Sequence, residues 1–471
     1  MLHSQQTRTL LVIIVTALCT GFMLYFSYLE LITHYVSGDE FYGYFLTNAK
    51  SIPHLIDVIH RGADNGYVFP VLVWLTNQVF DDVIFIQRLW SFIPILISIG
   101  IWTYSLSAIH RKHSIIQFGI LCVTVLSISL IHDVFVTGRC YGLLIMFSSL
   151  LYTNKFEKRL DYFVYIMLAI LGLLTSPLFL LSIVVSVIML HFRKVSLLRV
   201  LIFLMGPILL YWIVARVDFM LTAQQEFLFI SAPIPILTTL KHTTNTIGKF
   251  IIPSEIGIIF IALLYIFHTN KYYSSFGKRL AKTWNKTLIV VATSGGVIVL
   301  ASIFIPYNTI LPPRYFVGLF PLIVPILSAF GLIYRRQILL CIILVGLSIS
   351  SFKNRMPKKD KAMEAEMKRI SQTDAQIYFI EDDTITYSEF RLLANFYPKY
   401  DTGNFHYLHN NHEPNRVKYN NFLASELKAP FLFDANTIDS LNTYIFTSRL
   451  TGKALKVWEY EGKRIYEYRK N

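Results

Sequence analysis

Two adjacent carboxylates are the residues of this chain best placed for chemistry. They lie in the segment Ser37-Gly38-Asp39-Glu40-Phe41-Tyr42, directly after the first long apolar run. In one interpretation Ser37 or Asp39 caps the following helix and Glu40 interacts favourably with its dipole. In the other, one carboxylate, with Asp39 preferred over Glu40, is a general base that takes a proton from an acceptor hydroxyl or amine. The residues themselves favour neither interpretation.

Cationic side chains would be needed beside such a base if the leaving group were a phosphate. The candidates are Arg61, Arg88, Arg139 and Arg314, and we predict phosphate binding for the last three, because arginine neutralises developing phosphate charge. Arg139 has an alternative interpretation as a structural ion pair with Asp133 or with a carboxylate in the first loop, residues 32–82. For Arg314 the alternative is that its side chain reaches to the membrane interface.

Aromatic residues near these charges are candidates for substrate contact. We predict such contacts for Tyr42, Tyr67 and Tyr141, while Tyr67 and Trp74 also suit a belt of aromatics at a membrane interface. No cofactor is expected.

Histidines offer a weaker hint of a metal site. His132 and Asp133 would need His54 or His60 to complete a set of ligands, and no spacing enforces that. A divalent metal is therefore not indicated.

The composition is too apolar for a soluble protein of this size. Of its 471 residues 54% are hydrophobic and 15% charged, and the mean hydropathy is +0.51. The net charge of +14 comes largely from Lys and Arg in short loops between apolar runs, which the positive-inside rule explains without nucleic acid. All four cysteines lie in apolar runs without metal or disulfide spacing.

The same charge rule selects one membrane topology. Every Lys and Arg cluster is cytoplasmic only if the short run 67–80 is an interfacial or re-entrant helix. The chain then has about eleven spans, a cytoplasmic N-terminus, and outer segments at 32–82, 217–250 and 306–313 where chemistry is expected. The predicted spans are 9–31, 84–108, 114–132, 134–153, 162–176, 177–192, 196–216, 251–269, 287–305, 314–334 and 337–352.

The composition becomes charged, polar and rich in tyrosine after residue 352. We predict strands at 376–380 and 444–447, a helix over 387–396, and a terminal hairpin within 454–468. The predicted fold is thus an all-α polytopic membrane domain over 1–352, followed by a small α/β extracytoplasmic domain over 353–471.

In this order and placement, the charged residues resemble the GT-C superfamily of polyprenyl-phosphate-sugar-dependent glycosyltransferases. The most similar branch holds protein O-mannosyltransferases and the lipid A aminoarabinose transferase. The resemblance rests on Asp39-Glu40, Pro70, Arg88, Arg139-Cys140-Tyr141-Gly142-Leu143, and Arg314-Tyr315-Phe316 with Pro321. The chain departs from the family at Val68-Phe69-Pro70, where a double proline preceded by Lys or His is usual.

The resemblance implies a GT-C-like membrane domain with Asp39 as the catalytic base. The donor would be a monosaccharide on dolichyl or undecaprenyl phosphate, transferred with inversion to a lipid, glycan or protein acceptor on the outer face. We therefore expect a multi-pass protein in contact with membrane lipids, in the bacterial inner (plasma) membrane.

Two other classes of protein fit the composition. A flippase for lipid-linked glycans or a secondary transporter would also span the membrane many times, but transporters commonly show repeated halves, and no internal repeat is visible. A non-catalytic membrane subunit that recruits partners would leave Asp39 dispensable.

Overall fold

The structure, a computed structural model, describes residues 2–215 except 35, 37, 64–65, 110–113, 155–158 and 193–196. Beyond these it describes 317–322, 341–349, 365–372 and 394–399 with internal gaps, and 376–380, 405–408, 414–432, 443–447, 454–460 and 463–469. The spans predicted at 251–269 and 287–305 lie outside the described residues, as do most of the last two and nearly all of the helix predicted over 387–396.

The described residues among the first 215 are helical wherever they form regular structure. Helices α1 to α11 are Leu2–Thr33, Gly38–Leu46, Ile52–Val58, Val68–Asn77, Val83–Ile109, Ser114–Leu126, Ser129–Val136, Tyr141–Thr153, Arg159–Thr175, Leu180–Phe192 and Leu197–Ala215. A π-helical turn, Ile59–Ala63, continues α3, and a 3-10 turn, Pro177–Phe179, precedes α10. Helix α4 is the short helix predicted within 67–80.

Two helices in the described residues contain stretches long and apolar enough to cross a membrane, Leu10–Thr33 and Val83–Ser105. The first exposes large apolar side chains, among them Leu10 and Leu18, as a surface in contact with lipid would. Several shorter apolar helices follow. The count of about eleven spans stays a prediction.

Two predicted spans are divided differently in the structure. In place of 114–132 and 134–153 the chain forms α6, α7 and α8. Helix α6 ends at Leu126, after which the hydroxyl of Ser127 donates to the Thr124 carbonyl at 2.8 Å. Helix α7 ends in a turn through Gly138, whose φ of +55° favours glycine because other residues are strained there. Arg139 therefore lies in the turn between α7 and α8, and the prediction that it lies inside a span was wrong.

Helix α5 is the centre of this helical region and packs against α6, α7 and α8. Its contact with α8 is close at Gly142, where an added Cβ would lie 1.8 Å from the Ser91 carbonyl oxygen. Small residues allow helix backbones to approach in this way in membrane proteins. The glycine thus sets the distance between the two helices that flank the turn bearing Arg139.

The C-terminal region contains a mixed sheet and helix α12, Pro414–Leu427. The six strands have the order β3-β2-β1-β4-β6-β5 and are, from β1 to β6, Gln376–Ile380, Phe405–Leu408, Phe431–Leu432, Thr443–Thr447, Ala454–Tyr460 and Lys463–Arg469. Strands β1 and β4 lie where strands were predicted, and β5 pairs antiparallel with β6 as the expected hairpin. The boundary near residue 352 stays a prediction.

Candidate active site

Glu40 and Arg88 form a buried ion pair. Arg88 Nε donates to Glu40 Oε1 at 2.6 Å and Nη2 donates to Oε2 at 3.1 Å. The side chain of Glu40 is 0% exposed and that of Arg88 is 3% exposed. Arg88 Nη1 also donates to the Leu31 carbonyl at 2.7 Å. Two parallel hydrogen bonds are the strongest form of this interaction, and they offset the cost of burying both charges.

The pair joins three elements. Glu40 is in α2, Arg88 in α5, and Leu31 near the end of α1. A helix as short as α2, with nine residues, is marginal on its own, so tertiary contacts must hold it. The sequence placed Arg88 at a donor phosphate, whereas its guanidinium here is turned to Glu40 and Leu31 and is shielded from solvent. The sequence named Glu40 as a second catalytic carboxylate, and the structure commits it to this contact.

Asp39 immediately precedes Glu40 in the first turn of α2. The structure describes its backbone and not its side chain. The ion pair therefore fixes the backbone that carries Asp39, while its role as a base stays a prediction.

A second buried pair ties α7 to the same end of α1. His132 Nδ1 contacts the Glu30 carboxylate, and Nε2 contacts the Leu126 carbonyl. The side chains of His132 and Glu30 are 2% and 3% exposed. Sequence reasoning considered His132 only as a possible metal ligand and missed Glu30. An acidic residue inside an apolar run was the signal that could have found it, because such residues are usually paired.

The turn after α7 lies against the Glu40–Arg88 pair. A Cβ added to Gly138 would be 2.8 Å from Glu40 Oε1, so only a glycine lets the backbone come this close. The next residue, Arg139, is half-buried, and its carbonyl accepts a hydrogen bond from the Ser91 hydroxyl of α5. Arg139 is thereby positioned beside α2 and α5.

A cleft opens where these elements meet. It has room for about one water molecule, and its lining comes from α2, α4, α5 and the turn after α7: Gly43, Leu46, Phe69, Pro70, Val73, Gln87, Gly138 and Arg139. Three segments singled out in the sequence, around Glu40, Pro70 and Arg139, thus converge. Gln87 was missed, since a glutamine at the head of an apolar helix carries no sequence signal.

The three tyrosines predicted to contact substrate do not line this cleft. Tyr42 lies half-buried in α2, and Tyr141 is 5% exposed at the start of α8. Tyr67 precedes α4, where its backbone N–H donates to the Leu174 carbonyl at 2.6 Å. Arg314 lies outside the described residues. Substrate and phosphate contacts by these residues stay predictions.

The remaining candidate cation, Arg61, contacts the C-terminal helix α12. Its Nη2 donates to Glu426 Oε1 at 2.8 Å, and its guanidinium carbon lies 4.7 Å from the centre of the Phe422 ring. His54 Nε2 is 3.7 Å from Glu426 Oε2. The hydrogen bond from Arg61 is the main cause that holds the pKa of Glu426 below its ordinary value.

Aromatic packing extends this contact to α2. The ring of Tyr397 lies 5.8 Å from that of Phe41, 6.0 Å from Tyr44 and 5.7 Å from Phe45, between centroids. These distances and near-perpendicular ring angles are those of favourable aromatic pairs. The C-terminal part of the chain therefore packs directly on the helix that carries Asp39 and Glu40.

Within the described residues, no group of three or more His, Cys, Asp or Glu side chains is placed to hold a metal ion. The sequence carries no indication of a divalent metal, and this expectation stays a prediction.

The comparisons with known proteins bear on the fold. Neither protein-family models nor curated protein sequences give a match. Among solved structures the chain is similar to ArnT from Cupriavidus metallidurans, in a crystal structure bound to undecaprenyl phosphate and in another of the apo state. The TM-score is 0.55 for both, at 11% and 10% identity, over 96% of this chain and 97% of ArnT. The chain therefore has the fold of ArnT from end to end. Membership of the GT-C superfamily, and of one of its branches, stays a prediction.

Proposed function

We propose that the protein is a membrane glycosyltransferase that moves a monosaccharide from a polyprenyl phosphate to an acceptor on the outer face of the membrane. The observation that carries the proposal is the end-to-end likeness to ArnT, a protein crystallised with undecaprenyl phosphate. It is supported by the convergence of the segments around Glu40, Pro70 and Arg139 at one cleft. A common fold does not by itself define a reaction, so the proposal depends on these residues.

The reaction needs one base and one stabilised leaving group. Asp39 removes the proton from an acceptor hydroxyl or amine, whose heteroatom forms a bond to the anomeric carbon of the sugar. The bond between that carbon and the phosphate oxygen breaks, and the polyprenyl phosphate leaves with the electron pair. Attack opposite the leaving group inverts the anomeric carbon.

The described residues divide this work. Glu40 is committed to Arg88, so we assign the base to Asp39 and a positioning role to the pair. Arg139, beside the cleft, is the cation that we assign to the phosphate, together with Arg314. Positively charged groups placed before the reaction are effective because they need no reorganisation as charge develops.

The test compares Asp39→Asn with wild type in transfer of radiolabelled sugar from undecaprenyl phosphate to extracted membrane acceptors. Loss of a general base typically lowers the rate about 10²–10⁴-fold, so we expect at least a hundredfold loss with normal folding and donor binding. Asp57→Asn is the matched control, because Asp57 also lies in the first loop and its side chain is 62% exposed.

Full transfer by Asp39→Asn would refute its role as the base. Absence of transfer by the wild type with every donor would refute the transferase and favour a flippase, which flip assays in vesicles would detect.

A further inference from the structure

Gln87 is a buried amide that lacks a hydrogen-bond partner. Its side chain is 1% exposed, and neither its Oε1 nor its Nε2 has a partner among the described residues. Buried side-chain amides are nearly always paired, because an unpaired one loses its hydrogen bonds to water without replacement. Such a group therefore points to something that binds there.

The amide faces the cleft beside the ion pair. Gln87 is one of the cleft's lining residues and directly precedes Arg88 in α5. The space in the cleft is about that of one water molecule, which is enough for a single hydroxyl group and too little for a complete sugar ring.

Two glycines leave space beside the amide. A Cβ on Gly43 would lie 3.2 Å from Gln87 Nε2, and one on Gly138 would lie 3.1 Å from Gln87 Cβ. Both distances are shorter than ordinary van der Waals contact, so a side chain at either position would press on Gln87 and fill the cleft. The space around the amide thus depends on residues that have no side chain.

We propose that Gln87 binds a hydroxyl group of the donor's sugar. This inference rests on the proposed function and adds a residue that selects for the sugar part of the donor. An amide has an acceptor in Oε1 and donors in Nε2, and both are unpaired. A hydroxyl can donate to the first and accept from the second. A phosphate diester has acceptor oxygens only, so it would leave Oε1 unpaired.

This assignment divides the cleft between the two parts of the donor. Arg139 supplies positive charge for the phosphate, and Gln87 supplies neutral hydrogen bonds for the sugar. A site built to hydrogen-bond a hydroxyl discriminates strongly against a ligand that lacks it, because the site's own polar groups are then left unpaired.

The experiment measures donor binding to the full-length protein in lipid nanodiscs, for wild type and Gln87→Leu. The ligands are bare undecaprenyl phosphate and undecaprenyl phosphate carrying glucose, mannose or arabinose. For the sugar-bearing ligand that wild type binds most tightly, we expect the Kd of Gln87→Leu to be about tenfold higher, because the variant loses the hydrogen bonds between the amide and the hydroxyl. The Kd for bare undecaprenyl phosphate should change by no more than about twofold, or about 0.4 kcal/mol, because this ligand has no sugar hydroxyl to bind Gln87.

Thermal unfolding of the same proteins separates binding from structure. Leucine removes an unpaired amide from the interior, so the Tm of Gln87→Leu should be unchanged or higher. Gln117→Leu is the matched control, because Gln117 is equally buried at 1% but lies in α6, and it should bind both ligands as wild type does. Gly43→Ala provides a second variant, in which the added Cβ crowds the amide, and it should also weaken the sugar-bearing ligand selectively.

The proposal is overturned if Gln87→Leu weakens bare and sugar-bearing ligands equally, which would make Gln87 a phosphate contact, or if neither changes. It is also overturned if wild type binds no sugar-bearing ligand more tightly than bare undecaprenyl phosphate. Selective sugar binding without transfer would uphold the inference and refute the transferase.

Discussion

The described residues include two Arg–Glu pairs of similar distance in contrasting surroundings. The closest nitrogen-to-oxygen distance is 2.6 Å for Arg88–Glu40 and 2.8 Å for Arg61–Glu426. The side chains of the first pair are 3% and 0% exposed, and those of the second are 38% and 29% exposed. The first pair holds α2 against α5 and α1. The second pair joins the π-helical turn Ile59–Ala63 to α12.

The contrast shows that burial, rather than distance, decides what such a pair does. A buried charge that loses its partner has no water to replace it, so breaking a buried pair is costly. An exposed pair is largely compensated by water and contributes little to stability. The buried pair can therefore fix the backbone at Asp39, whereas the exposed pair can only bias the position of α12.

The largest expected effect comes from removing one charge of the buried pair. Glu40→Gln removes the carboxylate that accepts two hydrogen bonds from Arg88, while Arg88 keeps its buried charge, and we expect a loss of about 3–5 kcal/mol in the free energy of unfolding. The measurement is chemical unfolding in detergent. A double variant that also replaces Arg88 with methionine should regain much of the lost free energy of unfolding. If the double variant is as destabilised as Glu40→Gln alone, this account is contradicted.

A smaller effect is expected where the backbone presses on that pair. Gly138→Ala introduces a Cβ 2.8 Å from Glu40 Oε1 at a positive φ, and strain of this kind costs about 1–3 kcal/mol. The same assay should show no loss for Gly100→Ala, because an added Cβ there has nothing within 4 Å and alanine favours the helix. Similar results for the two glycines would mean that the turn relaxes.

The smallest effect belongs to the exposed pair and depends on pH. The pKa of Glu426 is lowered in the folded protein, so its stabilisation is present above its ordinary pKa and is lost as the pH falls through the lowered value. We expect the docking of α12 to weaken by at most about 1 kcal/mol in acid. Limited proteolysis between residues 427 and 443 as a function of pH would detect this, and Arg61→Ala should reduce the dependence, with His54 left as the remaining partner of Glu426. A stronger dependence in Arg61→Ala than in wild type would contradict it.

Several features of the site could be predicted from residue type and order. Asp39-Glu40, Pro70 and Arg139 stood out because charge and proline are conspicuous beside apolar runs, and the structure brings their segments to one cleft. The partner of Arg88 could not be predicted, because several carboxylates and a phosphate offer the same charge and only packing chooses among them.

Other features had no signal in the sequence. The break between α6 and α7 lies inside a continuously apolar stretch, where hydropathy is the same on both sides. Gly138 resembles any other glycine until its φ is known. The unpaired amide of Gln87 could not be predicted, because the residues that surround it in space come from distant parts of the chain.

The contacts between the first loop and α12 also constrain how the protein is made. The pair Arg61–Glu426 joins residues 365 positions apart, and the amide of Asn48 donates to the Leu427 carbonyl across 379 positions. Chain synthesis proceeds at about 5–20 residues per second, so α2 and α3 emerge tens of seconds before the helix that covers them. Until residue 397 has been made, the aromatic face of α2 lacks Tyr397, and a nascent chain stopped before that residue exposes this face to chaperones and proteases.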